Sequence, residues 1–363
     1  MVPAQRNNSV TLLRLVAAFL VLSGHMSRIC GITPIILFGE QVHSMGVKIF
    51  FLLGGVFITQ SWQKDPHPLR YAVKRFFRIW PPLAVYVLIA AFVIGPIFTQ
   101  VTLKDYFTSP VLGGYLNNLR LYMVYTLPGL FGSNPCPNEV NGSLWTLPVE
   151  TAMYLMVPLF CILLGKIKDH RIRVIVAWGV AILAYVGRLV LNTMPGETLI
   201  IYATDWFAAM DIIPFYFVGV AYAHSDLKKY LNVPLALLLM MVFCALGLEG
   251  NLRLMAFFLL FSYLILSLAF GVQISSERIP FHKLEISYGI YLWGFFVQQL
   301  FEMQLIQSGF KLPFFTVQLM ICTTISIAMG WLNYLVVEEP AQKVSKKVLY
   351  LIQQRRIKKK HNM

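Results

Sequence analysis

The chain has 363 residues, of which 58% are hydrophobic and only 13% charged, yet it carries a formal net charge of +14. With a mean hydropathy of +0.67, that composition excludes a soluble globular protein and points to an integral membrane protein. The charge does not point to nucleic acid, because the basic residues sit in short juxtamembrane loops and not in an aromatic-interleaved groove.

Apolar stretches of about 18 to 25 residues, long enough to cross a bilayer, recur from end to end. They predict an all-α, polytopic transmembrane helix bundle of about ten spans. These lie at 10–29, 42–62, 79–98, 144–165, 174–192, 207–223, 231–248, 252–272, 284–301 and 313–337. One transmembrane domain therefore fills 1–340, followed by a basic tail at 341–363. The first stretch lacks an A-x-A-like exit and is too long for a signal-peptide core, so it reads as a retained helix. Of the five cysteines, only Cys30 and Cys136 fall outside the lipid on this map, and a disulfide between them is disfavoured though open.

Lys and Arg fix the orientation, since cytoplasmic loops are enriched in them. The linkers "KDPHPLRYAVKRFFR", "KIKDHRIR", "HSDLKK" and "SSERIPFHK" and the tail "QRRIKKKHN" hold most of the basic residues and fall on one side. Both termini are accordingly cytoplasmic, and the tail reads as lying on anionic lipid headgroups.

Within the first span Arg14 and His25 are eleven residues apart, about 20° past three full turns with a rise of roughly 16 Å, so they share a face. Arg14 falls near the cytoplasmic boundary, where snorkelling to the interface is the alternative reading. His25 lies deeper, toward the outer leaflet, where an interhelical hydrogen bond is its bland role. Ionisable groups in lipid are nonetheless functional candidates, because burying them without partners is expensive. In the second span Lys48 and the glycine pair of "KIFFLLGGVFI" stand out. Ahead of the third, Arg75 and Arg78 sit at i and i+3, as positive-inside anchors or as a phosphate clamp. In the fourth, "NGSLWTLPVETAMYL" puts Trp145 at the interface and Glu150 at a depth similar to that of His25. A carboxylate beside an imidazole holds one tautomer and stabilises the cation, so His25 and Glu150 together read as a general-base unit. Glu338 and Glu339 close the last span, either paired with those arginines or solvated.

These motifs carry a resemblance. R-x10-H in the first helix, "IFFLLGGVFI", "KRFFRIWPP", "SLWTLPVE", "ISYGIYLWGF" and "VVEEP" follow one another across the chain as in the acyltransferase-3 family of membrane O-acyltransferases. The resemblance implies transfer of an acyl group, usually acetyl, from cytoplasmic acetyl-CoA to a hydroxyl of an extracytoplasmic cell-surface glycan. Lipopolysaccharide O-antigen, another surface polysaccharide or a lipid-linked oligosaccharide would be the acceptor, and a bacterial inner membrane the setting. It implies no metal. On this reading Arg14, Arg75 and Arg78 hold the CoA phosphates, and His25 deprotonates the acceptor or carries the acyl group, with Glu150 orienting it. Trp145 and Lys48 become candidates for substrate contact. Gly54 stands for a usual serine and Gly294 for a histidine, so no family role passes to either side chain; Lys48 stands for a common acid and would contact the donor or counter Glu150. The competing class is a transporter or flippase for a glycan or lipid-linked sugar, with the same ionisable residues lining its path. No pair of inverted halves is visible in the sequence.

Overall fold

A computed structural model describes residues 8–191, 193–194, 198–272, 274, 285–310 and 314–361. Ten long helices follow one another: α1 (Ser9–Ile29), α2 (Val42–Lys64), α3 (Pro68–Phe98), α4 (Gly142–Gly165), α5 (His170–Leu191), α6 (Trp206–Ala223), α7 (Val233–Ala245), α8 (Gly250–Gly271), α9 (Ser287–Ser308) and α10 (Phe315–Asn333). A wide turn at Tyr334–Glu338 joins α10 to a last helix, α11 (Glu339–His361). Eight helices among the described residues are long and apolar enough to cross a membrane, and the protein is a multi-pass membrane protein.

The two expected spans outside that count differ for separate reasons. At 13 residues α7 reaches only about 20 Å, short of a hydrocarbon core of about 30 Å. Helix α9 is long enough but carries Gln298, Gln299 and Glu302. Gln298 donates to the Leu22 carbonyl of α1 at 2.8 Å and Glu302 accepts from Cys30, while Gln299 serves the 99–141 segment. Gln299 donates to the carbonyls of Cys136 (2.8 Å) and Glu139 (2.7 Å) and accepts from Asn134 (2.8 Å). Asn141 donates to the Leu292 carbonyl at 2.8 Å. The segment is thus a folded cap on the bundle, with Tyr106, Tyr115 and Phe131 fully buried. Cys30 and Cys136 are both free thiols.

The third span begins earlier than hydropathy suggests. Pro68 opens α3, where its missing N–H costs nothing, and the helix runs on through Pro81 and Pro82. Lys74, Arg75 and Arg78 are therefore helical residues, not part of a preceding linker. The basic linker "SSERIPFHK" lies outside the described residues.

A helix–hairpin–helix unit occurs twice. Strands β1 (Ile36–Leu37) and β2 (Glu40–Gln41) join α1 to α2, and β3 (Ile200–Ile201) and β4 (Thr204–Asp205) join α5 to α6. Both hairpins turn on two residues with positive φ, Phe38–Gly39 and Tyr202–Ala203, the conformation that matches strand twist in a two-residue loop. The spacing from hairpin to the helix glycine is the same in both copies, and those glycines, Gly55 and Gly219, meet where α2 crosses α6. A Cβ on Gly55 would strike the Tyr216 carbonyl, and one on Gly219 the Leu52 carbonyl, which are again equivalent positions. The contact is self-complementary, as across a two-fold axis. Both units run in the same direction, since β2 and β4 border one cavity.

Candidate active site

Of the cavities among the described residues, two receive the ionisable residues of α1. The first, of 470 Å³, opens at the end where α1 begins and α11 lies, and takes Arg14, Lys74, Arg75, Arg78, Glu150, Tyr154 and Glu285 into its wall, with Gln342, Ser345, Lys346 and Leu349 of α11. The second, of 660 Å³, opens at the hairpin end and is lined by His25, Arg28, Glu40, His43, Tyr125, Glu139, Trp145, Asp205 and Asp211. Val47 and Tyr291 line both, so they form the wall between the two.

The geometry of α1 accounts for the split between Arg14 and His25. One helix carries both on one face, and a rise of roughly 16 Å delivers them to different cavities. The Arg14 guanidinium lies 5.1 Å from the Phe57 ring centroid. Arg75 stacks over Tyr71 and Tyr154 at 5.7 and 5.5 Å, and its Nε is buried with no hydrogen-bond partner. An orphaned guanidinium nitrogen on a cavity wall suits an anionic guest, because leaving such a donor unsatisfied is costly. Arg78 is already committed, pairing with Glu338 at 2.8 Å and lying over Tyr288. Glu339 pairs instead with Lys343 on the surface of α11.

His25 and Glu150 are not brought together. The Glu150 carboxylate accepts a hydrogen bond from Tyr154, one turn along α4, and belongs to the first cavity. Similar depth suggests the pairing, but α4 turns Glu150 into the first cavity while Trp145, a little over one turn earlier, borders the second. The neighbours of His25 are rings: His43 stacks on it at 5.3 Å and Phe295 meets it edge-on at 5.2 Å. Gly24 makes the stack feasible, since a Cβ there would lie 2.7 Å from the His43 Cβ and 2.9 Å from its Nδ1.

Lys48 lies apart from the walls of both cavities. Its side chain is 3% exposed and its Nζ sits between Glu40 (2.9 Å) and Asp211 (3.0 Å). Arg188 completes the network on Asp211 at 3.0 Å. The ammonium is therefore spent on holding the first hairpin to α6, and it does not counter Glu150. On the far rim Arg28 pairs with Glu139 at 2.8 Å. Burial pushes the Glu139 carboxyl up from its ordinary value while Arg28 pulls it back.

Several lining residues escaped sequence reasoning. His43 is a lone histidine one residue into α2, and Lys346 lies in a tail that reads as lipid-facing. Tyr291 sits in the "ISYGIYLWGF" motif, which could have flagged it. Its hydroxyl is held by the Ser143 carbonyl and by Thr146 Oγ1 at 2.6 Å.

The chain is 24% identical to an O-acetyl transferase of Shigella phage Sf6 over 299 residues, 81% of this chain and 85% of that protein. Nodulation protein 10 of Rhizobium leguminosarum bv. viciae is 32% identical over 123 residues. Peptidoglycan O-acetyltransferase OatA of Listeria monocytogenes is 26% identical over 170 residues. Those alignments cover 31% and 44% of this chain and only 32% and 27% of the two relatives. No solved structure matches. The acyltransferase-3 family profile, described as an acyltransferase domain, matches residues 7–331, and the chain, with its R-x10-H helix split between two cavities, belongs to that family.

Proposed function

We propose that the protein is a membrane O-acyltransferase that moves an acyl group, acetyl in the simplest case, from acyl-CoA in the first cavity to a hydroxyl of a surface glycan in the second. The observation that carries this reading is the pair of cavities, one walled with arginines and the other with His25, His43 and Trp145, meeting at Val47 and Tyr291. The relatives named as O-acetyltransferases support it.

In this reading Arg14 and Arg75 take the donor's phosphates, and its extended thioester arm reaches the wall at Tyr291. The acceptor hydroxyl gives its proton to His25 while its oxygen bonds to the acyl carbon. The carbon–sulfur bond breaks, and the proton passes from His25 to the departing thiolate. Trp145 and Tyr125 offer flat faces to a sugar ring, and Glu40, Glu139, Asp205 and Asp211 offer acceptors to its hydroxyls. With the arginine-walled cavity facing the cytoplasm, as the charge of the loops predicts, the acyl group would cross most of the membrane inside the protein.

The test is donor chemistry. Purified protein in detergent should release free CoA thiol from acetyl-CoA only when a glycan acceptor is present, with one acetyl ester formed per thiol. A transporter for a glycan or lipid-linked sugar predicts neither thiol nor ester.

A further inference from the structure

Helix α11 lies beyond the stretch that the family profile matches, 7–331, yet it closes one side of the arginine-walled cavity. Gln342, Ser345, Lys346 and Leu349 all line it. Their spacing of i, i+3, i+4 and i+7 is one continuous face of a helix, so a whole stripe of α11 is turned to the cavity. The helix is held there: it packs against α3, and the Arg78–Glu338 pair pins the turn from which it starts. Ser345 is buried, while Lys346 is exposed and makes no ion pair among the described residues.

The cations around this cavity divide into two groups. Arg78 and Lys74 are bound to Glu338 and Asp65. Arg14, Arg75 and Lys346 form no ion pair among the described residues, and Arg75 has its orphaned Nε. Arg14 and Arg75 come from the membrane bundle and Lys346 from the tail, so the uncommitted positive charge converges on the cavity from two sides. A guest that satisfies both sides carries anionic charge at the end exposed between α3 and α11, as the phosphates of a nucleotide-bearing thioester do. A thioester arm alone does not.

We infer that α11 is part of the donor site, with Lys346 binding the phosphates of the nucleotide end of the acyl-CoA. This rests on the donor reading above. Lys346 is thus a specificity residue: it favours donors that carry the nucleotide over the same thioester without it.

The experiment compares acetyl-CoA with acetyl-pantetheine, which presents the same thioester without phosphates, in neutral detergent micelles. For Lys346→Glu, kcat/KM for acetyl-CoA relative to acetyl-pantetheine should fall by about tenfold, the scale of one lost charge-assisted contact. Lys346→Arg should restore most of the ratio. An unchanged ratio, or an equal loss with both donors, overturns the assignment, the latter marking a structural role for α11. A loss that appears only in vesicles containing anionic lipid also overturns it, since Lys346 then serves headgroups. If the parent protein turns over neither donor, the donor reading itself fails, a result distinct from an unchanged ratio.

Discussion

Glu150 and His25 face opposite sides of the wall made by Val47 and Tyr291, with Glu150 held by Tyr154 and His25 stacked on His43. Their substitutions should therefore fail differently. His25→Ala should lower kcat by at least about 100-fold, the range of general-base assistance, with CoA affinity kept. Glu150→Gln should change the donor KM by less than about tenfold and leave the acid limb of the pH–rate profile in place, because amide and carboxylate both accept from Tyr154. Loss of that limb in Glu150→Gln would return the carboxylate to the base.

The wall itself can be blocked. Val47→Trp fills the junction from α2, at the wall that the two cavities share. CoA should bind with unchanged affinity while acetyl transfer falls to background, as read by calorimetry and by ester formation. Normal transfer in this variant would mean that the acyl group takes another route.

The crossing of α2 and α6 has no room for a side chain. Gly219→Ala would drive a methyl group into the Leu52 carbonyl, which is backbone and cannot turn aside. Overpacking of this kind costs about 1–3 kcal/mol, so the melting temperature in detergent should fall by several degrees. Gly54→Ala is the control, since its Cβ comes no nearer than 3.5 Å to Tyr216. Equal melting temperatures for the two variants would contradict the close crossing.

Much of this arrangement is legible in the chain. Helix periodicity alone puts Arg14 and His25 on one face at different depths, and the motif order across the spans points to the family. What is not legible follows from contacts between distant segments. The partner of Glu150 depends on how α4 rotates, and similar depth says nothing about rotation. Hydropathy starts the third span late because it penalises Lys74, Arg75 and Arg78, whose charges face a cavity and not lipid. Lys48 shows no sign in sequence of Asp211, which comes from the second copy of the helix–hairpin unit. Residues 99–143 read in sequence only as a long connection between spans, because the bonds that order them, such as those from Gln299 on α9, come from distant segments, and the fold leaves Cys136 only 5% exposed. An impermeant thiol reagent would therefore report poorly on that segment's side of the membrane.

Asp65, in the short turn between α2 and α3, gives a pH-dependent anchor. Hydrogen bonds from Arg70, whose Nε lies 3.0 Å from both carboxylate oxygens, and from Lys74 at 2.8 Å hold its pKa down to about 2. A carboxylate depressed in the folded state contributes stability above its unfolded value of about 3.9 and loses it as pH falls toward the folded one. Asp65→Asn should thus melt below the parent at pH 7, and the gap should narrow as pH drops below about 4. A gap that stays constant with pH would assign Asp65 a role independent of its charge.

The central claim is that the acyl group passes through the protein from one cavity to the other. Proteoliposomes with the protein in a single orientation allow the donor and the acceptor to be placed on chosen faces, using acetyl-CoA labelled in the acetyl group. Label should appear on the glycan when acetyl-CoA is on the α11 face and the glycan on the hairpin face, and His25→Ala should abolish it. Transfer with both substrates on one face and none across the bilayer would contradict the account.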